Sequence, residues 1–315
     1  MERRPTPDRT NTSTNSSDRT TFPLAGNGPI HRIGLGTMRF ADDPDRRRGP
    51  DAPIWASASD WDASVATLRR AAELGVTLFD TAAAYALGDG ERLVARALRP
   101  YRDEVVIATK IGLTRPGPGE WRVLGRPDYL RQQIEQSRRA LDDRPIDLLY
   151  LHAVDGQVPL ADQLEVLANA VQHGDAKAIG LSQVSLTQLN EAASLLSAAA
   201  VQVAYNLADR ANHSVLVRSG ELGMAFVPFF PLAMGGPDAM APAVAEVAAE
   251  SGATAGQVAL AWLLHQGRHV VPIPGTTSAD RVAENLGAAE LLLTPAQLAR
   301  LQAPTPRGDS GATGQ

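Results

Sequence analysis

The sequence predicts a single-domain (β/α)8 TIM barrel, and three observations carry that prediction. The first is length: 315 residues suit one α/β barrel, which needs about 250. The second is alternation, because short apolar runs take turns with amphipathic helical segments along most of the chain. The third is the character of the runs. They are continuously apolar rather than apolar at every second residue, the pattern of parallel strands buried on both faces.

The elements follow in order. Residues 1–22 are dominated by Ser, Thr, Asn, Asp and Arg, with almost nothing to bury, and read as a disordered tail. The barrel is expected over 23–303, and "PTPRGDSGATGQ" (304–315) reads as a second disordered tail. Between the tails lie eight apolar runs: "HRIGLGT" (31–37), "VTLFD" (76–80), "VVIAT" (105–109), "DLLYL" (147–151), "AKAIG" ending at Gly180, "AVQVAYN" (200–206), "MAFVPFF" (224–230) and "HVVPIP" (269–274). The helices between them carry boundary signals. Gly75 suits the stop after "TLRRAAEL", Pro127 a first helical position, and Ser185 the cap of "LTQLNEAASLL". Thr254 and Gln257 make a capping-box pattern before "VALAWLLH", and Thr294-Pro295 opens a last helix. Eight strand–helix units favour a closed barrel over an open sheet.

Composition narrows the function. Net charge is −5 with both signs mixed, so no nucleic-acid surface is expected. There is no cysteine, which excludes disulfides and thiolate metal sites. No apolar run approaches the roughly 18 residues of a membrane span, and the N-terminal stretch lacks the apolar segment of a signal peptide. His31, His173, His213, His265 and His269 show no metal spacing. The expectation is a cytoplasmic enzyme acting on a small molecule, with no metal. Of 30 basic residues only Lys110 and Lys177 are lysine. In so arginine-rich a chain, a lysine at the end of an apolar strand points to a compact, titratable ammonium that the guanidinium fork cannot replace.

Active sites of such barrels lie at the C-terminal ends of the strands. There the second run ends on Asp80, with Tyr85 in the loop after it; Lys110 follows the third and His152 the fourth. Their chemistry fits together. A free phenol, with a pKa of about 10, is a weak proton donor at neutral pH. A neighbouring ammonium favours the phenolate and lowers that value, and Asp80 can compensate the buried ammonium. An imidazole can orient a substrate oxygen. Such a set suits carbonyl reduction, in which hydride reaches carbon while Tyr85 protonates oxygen.

These segments resemble the aldo-keto reductase superfamily, in which Asp, Tyr, Lys and His in this order form the catalytic tetrad. The likeness covers roughly residues 25–302 through "GLGTMRF", "DTAAAY" with "GDGERLV", "VVIATK", "LYLHAVD", "IGLSQVS", "VQVAYNLADR", "FVPFFPLA" and "PIPGTTSADRVAEN". It is nearest to the bacterial branch with a "PIPGT" cofactor loop. The resemblance implies NADPH lying across the barrel mouth without a Rossmann fold, so "GLGTMR" is not a dinucleotide fingerprint. It implies that Gly36, Thr37 and Met38 line the nicotinamide end, that Ser182 and Gln202 hold the carboxamide, and that Phe229 stacks on the ring. It extends the cofactor contacts to Asp80, Gln183, Pro231, Leu232 and Glu284. Gly275, Thr276 and Thr277 open a helix whose N–H groups suit a phosphate. The resemblance aims Arg281 at a 2′-phosphate, favouring NADPH over NADH, and places Asn285 near adenine.

The chain also departs from the family. Gln183 stands where many relatives have asparagine, Gly275 where some have lysine, and Phe229-Phe230 where Tyr-Ser is common. Trp55 and Trp121 fall in the long loops 41–59 and 112–126. With Phe230 they form a candidate substrate wall, the alternative being that the tryptophans tuck those loops against the barrel. The run "DRRRG" (45–49) reads as a solvated loop, and Lys177 as a solvated charge on the bottom face. Two other functions fit the same residues: a Schiff-base aldolase using Lys110 as nucleophile, and a non-catalytic NADP(H)-binding subunit.

Overall fold

The computed structural model describes residues 19–43, 53–233 and 242–302. Most of the N-terminal tail, the C-terminal tail and the basic run 45–49 lie outside them. The described chain opens on an antiparallel hairpin, β1 (Thr21–Leu24) and β2 (Gly28–His31). Its turn uses Gly26 at φ +80°, where an added Cβ would also lie 2.8 Å from the Lys177 carbonyl. Leu24 and Ile30 are fully buried, with Phe22 packed beside them. The expected tail 1–22 therefore overlaps four ordered residues: Thr21 and Phe22 pair with β2, and the carbonyls of Arg19 and Thr20 accept from Arg32.

The barrel follows. β3 (Leu35–Gly36), β4 (Leu78–Asp80) and β5 (Val106–Ile111) pair in parallel. A small antiparallel hairpin, β6 (Leu113–Thr114) and β7 (Arg122–Val123), interrupts the loop after β5. β8 (Leu148–Leu151), β9 (Ile179–Ser182), β10 (Ala200–Ala204) and β11 (Ala225–Phe229) complete a seven-stranded parallel sheet in the order β3-β4-β5-β8-β9-β10-β11. The eighth apolar run closes the ring without forming a regular strand. Phe226 bridges to Val270 and Gly36 to Gly275. The N–H groups of Gly34 and Gly36 donate to the carbonyls of Pro272 (3.0 Å) and Pro274 (3.2 Å). Those two prolines have no N–H to return, so the ladder is intermittent where the sequence predicts an eighth strand.

Ten helices are described: α1 (Trp61–Glu73), α2 (Asp89–Leu98), α3 (Pro127–Ala140), α4 (Leu160–Gln172), α5 (Leu186–Leu195), α6 (His213–Glu221), α7 (Pro242–Ser251), α8 (Ala255–His265), α9 (Ala279–Gly287) and α10 (Pro295–Gln302). The expected caps form. Ser185 and Thr254 each build a reciprocal capping box, with Gln188 and Gln257, and Pro127 occupies the first turn of α3. Gly75, at φ +102°, follows α1.

Strand parity sorts the core into two shells. Leu78, Val106, Ala108, Leu148, Tyr150, Ala178, Ala200, Val227, Val271 and Ile273 fill the barrel interior. Phe79, Ile107, Leu149, Leu151, Ile179, Leu181, Val201 and Phe226, at the alternate positions, face the helices. Tyr150 needs room: a Cβ at Gly180 would lie 2.4 Å from its ring, so glycine at that position is a packing requirement.

Candidate active site

The same parity carries polar side chains inward at the C-terminal ends. Two residues beyond Leu78 is Asp80; beyond Ala108, Lys110; beyond Tyr150, His152; beyond Gly180, Ser182; beyond Ala200, Gln202; beyond Val227, Phe229. Period-two alternation and a common strand direction thus deliver an acid, an ammonium, an imidazole, a hydroxyl, an amide and a ring to one rim. Tyr85 joins them from the loop after β4.

These groups are almost dry. Lys110 is 1% exposed, Asp80 3%, His152 6% and Tyr85 8%. The Lys110 ammonium donates to Asp80 Oδ1 at 2.5 Å and to the Thr81 carbonyl at 2.8 Å. It lies 5.2 Å from the centre of the Tyr85 ring. The Tyr85 and His152 rings meet edge to face, their centres 6.2 Å apart. Gln202 Nε2 donates to the other Asp80 oxygen at 2.8 Å. The Asp80 carbonyl accepts from both the N–H and the hydroxyl of Thr37, each at 2.9 Å. Each Asp80 carboxylate oxygen therefore has a donor, as a buried carboxylate requires, and Thr37 fixes the backbone beneath it.

The electrostatics correct one expectation. Burial dominates and holds the Tyr85 phenol above its ordinary value, with Lys110 pulling it back only in part. The cause is the dry site, which penalises a phenolate more than the sequence reveals. Burial would lower the Lys110 ammonium, but Asp80 and Tyr85 outweigh it, and its pKa is raised. Burial, aided by Lys110, pushes His152 well below the usual imidazole range. Its ring is therefore neutral, and its buried Nδ1 has no hydrogen-bond partner among the described residues.

The residues expected to hold a cofactor lie on or just after β3, β4, β9, β10 and β11, and along α9 and the segment before it. Gly36 pairs with Gly275, and Met38 packs against Tyr85 together with Ala41, Ala82 and Ile54. Thr276 is buried while Gly275, Thr277 and Arg281 are exposed at the approach to α9; Asn285 is buried on that helix. Pro231 is buried, and Leu232 packs against the outer core. Phe229 and Phe230 meet edge to face at 5.1 Å.

Three expected cofactor contacts have structural partners as well. Gln183, at φ +55°, donates to the His152 carbonyl at 3.1 Å. Glu284 accepts from Thr254 at 2.5 Å, tying α9 to the α8 capping box. Gln202, expected only beside a carboxamide, is also an anchor of Asp80. Trp55 and Trp121 flank the Arg115 guanidinium, their ring centres 5.4 Å and 3.7 Å from its carbon.

Some site residues escaped sequence reading. Tyr150 puts a buried phenol beneath the site, held neutral by burial and by Asp80; its inward parity was the available signal. Asn206 donates to the carbonyl of Phe230 at 3.0 Å and thereby pins the backbone at φ +51°. Among the described residues no group of His, Asp and Glu is placed to hold a metal ion, and no helix is long and apolar enough to cross a membrane.

Comparison with known proteins gives this geometry a context. The sequence profile of the aldo/keto reductase family matches residues 32–304. An uncharacterised oxidoreductase of Schizosaccharomyces pombe is 36% identical over 88% of this chain and 87% of its own length. Escherichia coli pyridoxine 4-dehydrogenase is 35% identical, over 89% of this chain and 96% of its own. An aldo-keto reductase from Klebsiella pneumoniae, solved in complex with NADPH, superposes with a TM-score of 0.73 at 25% identity, covering 90% of this chain and 93% of that one.

Proposed function

Because the chain belongs to the aldo-keto reductase family, an oxidoreductase family, we propose that it reduces an aldehyde or ketone with NADPH, Tyr85 supplying the proton. The observation that carries this reading is the contact chain Gln202–Asp80–Lys110 ending against the Tyr85 phenol. The residues present fit the cofactor. Ser182 and the Gln202 amide suit a carboxamide, Phe229 offers an aromatic face, and exposed Arg281 with the N-terminus of α9 suits phosphate. When bound, NADPH supplies the hydride.

The protein supports that transfer in three ways. The neutral His152 ring offers a hydrogen-bond donor that aims the substrate oxygen at Tyr85. The phenol gives its proton to that oxygen as the carbonyl carbon is reduced, and the Lys110 ammonium stabilises the phenolate left behind. Asp80 keeps the ammonium charged and in place. A Lys110 ammonium held in its protonated form by Asp80 and Tyr85 lacks the lone pair a Schiff base needs, which counts against the aldolase reading.

The E. coli relative's name makes pyridoxal the first aldehyde to try, followed by sugar ketones and larger apolar carbonyls that could use Phe229 and Phe230. The test is NADPH oxidation against this panel. At least one carbonyl is turned over by the wild type, and Tyr85→Phe loses that turnover while still quenching NADPH fluorescence. NADPH binding without reduction of any carbonyl would favour the non-catalytic reading.

A further inference from the structure

Tyr85 reaches the site on a loop that is not relaxed. Ala86 (φ +46°) and Leu87 (φ +56°) follow it in the left-handed region, and Ile54 (φ +60°), which packs against the same cluster, is left-handed too. None is glycine, so something must hold the backbone there. The candidate is Arg115, 7% exposed, in the turn of the hairpin just after β6. Its Nη1 donates to the carbonyls of Ile54 (3.1 Å) and Ala84 (3.3 Å), its Nη2 to Pro53 (3.3 Å) and its Nε to Glu120 (2.9 Å). The Ile54 carbonyl also accepts the Ala86 N–H at 3.1 Å. The guanidinium thus binds Ala84 directly, and Ala86 through the shared Ile54 carbonyl, to the loops after β3 and β5.

We infer that Arg115, in contact with the rings of Trp55 and Trp121, is a positioning residue that sets the Tyr85 phenol against Lys110. The inference rests on the reading of Tyr85 as the proton donor. Four of the five guanidinium N–H groups point at backbone carbonyls, which leaves little for a substrate anion. Two tryptophan rings lie against the cation, Trp121 the nearer. Lysine cannot serve here, because a point charge does not fork across three loops. The tryptophans then form a substrate wall only through their outer faces; their inner faces belong to the arginine.

The test compares Arg115→Ala, Arg115→Lys and Tyr85→Phe with the wild type, using NADPH and the best carbonyl of the panel. A phenol displaced by a fraction of an ångström to an ångström costs about 10- to 100-fold in turnover. Arg115→Ala is expected to lose that much kcat while the Kd for NADPH, read by fluorescence quenching, stays within about threefold, an energy difference too small for a lost cofactor contact. Added guanidinium ion, below denaturing concentrations, restores part of the lost kcat of Arg115→Ala and leaves the wild type unchanged. Arg115→Lys behaves like Arg115→Ala. If both arginine variants fail to fold, Trp121→Leu, altering a partly exposed side chain, is expected to show the same kcat-only loss. Near-normal kcat in a folded Arg115 variant beside an inactive Tyr85→Phe overturns the inference. So does a loss matched by lost NADPH binding and not rescued by guanidinium. Full activity of Tyr85→Phe overturns both the inference and the reading beneath it.

Discussion

The barrel has a buried aspartate–cation centre at each end, and the chain's two lysines divide between them. At the N-terminal end, Asp147 meets Arg102 at 2.6 Å, Lys177 at 2.8 Å and the Ile107 N–H at 2.9 Å. At the C-terminal end, Asp80 meets Lys110 and Gln202. The chemistry of each pair is alike; the surroundings are not. Every partner of Asp147 belongs to the scaffold, so that centre ties strands together. Lys110 instead presents its charge to a phenol and an unpartnered imidazole. In a parallel barrel the bottom end serves stability and the top end serves chemistry, and the two centres illustrate that division with nearly the same residues.

Substitutions should break that comparison cleanly. The largest effect is expected from Tyr85→Phe, which removes the proposed proton donor and should cost about 10²- to 10⁴-fold in kcat with little change in thermal stability. Next comes Asp147→Asn. Breaking a buried pair from one side costs about 3–5 kcal/mol, so the melting midpoint should fall while kcat of the folded protein holds. An Asp147→Asn protein that lost activity without losing stability would erase the contrast between the two ends.

A smaller effect concerns pH. His152 is neutral well below the usual imidazole range, so kcat for reduction should show no limb near the ordinary histidine value of 6.5. It should fall only at alkaline pH, as Tyr85 loses its proton. A limb near 6.5 that disappears in His152→Gln would contradict the neutral ring. The smallest effect is expected from Lys177→Met. Its side chain is 47% exposed, and a partly solvated pair contributes about 0–1 kcal/mol, so stability should shift slightly and activity not at all.

Much of the top end was legible in the sequence because period-two alternation is local. Once "LFD", "ATK" and "YLH" are read as strand ends, Asp80, Lys110 and His152 must share a face. Tyr85 was legible only by its loop position and the family resemblance. What stayed hidden depends on contacts between distant segments. Arg115 joins three loops that no spacing connects. The Gln202–Asp80 bond crosses the barrel. The dominance of burial over Lys110 in setting the Tyr85 phenol depends on how completely the rim is dried. Pro272 and Pro274 were visible as residues, but their effect on the closing strand emerges only when the Gly34 and Gly36 N–H groups are seen to donate to residues that have no N–H to give back.

The central claim is that the Lys110 ammonium tunes the Tyr85 phenol. It is tested most directly by the pH dependence of alcohol oxidation, in which Tyr85 must act as phenolate. In the wild type kcat should rise with pH as the phenol ionises. In folded Lys110→Met the midpoint of that rise should move to higher pH, because burial then acts without its counterweight. An unchanged midpoint in the variant would contradict the account.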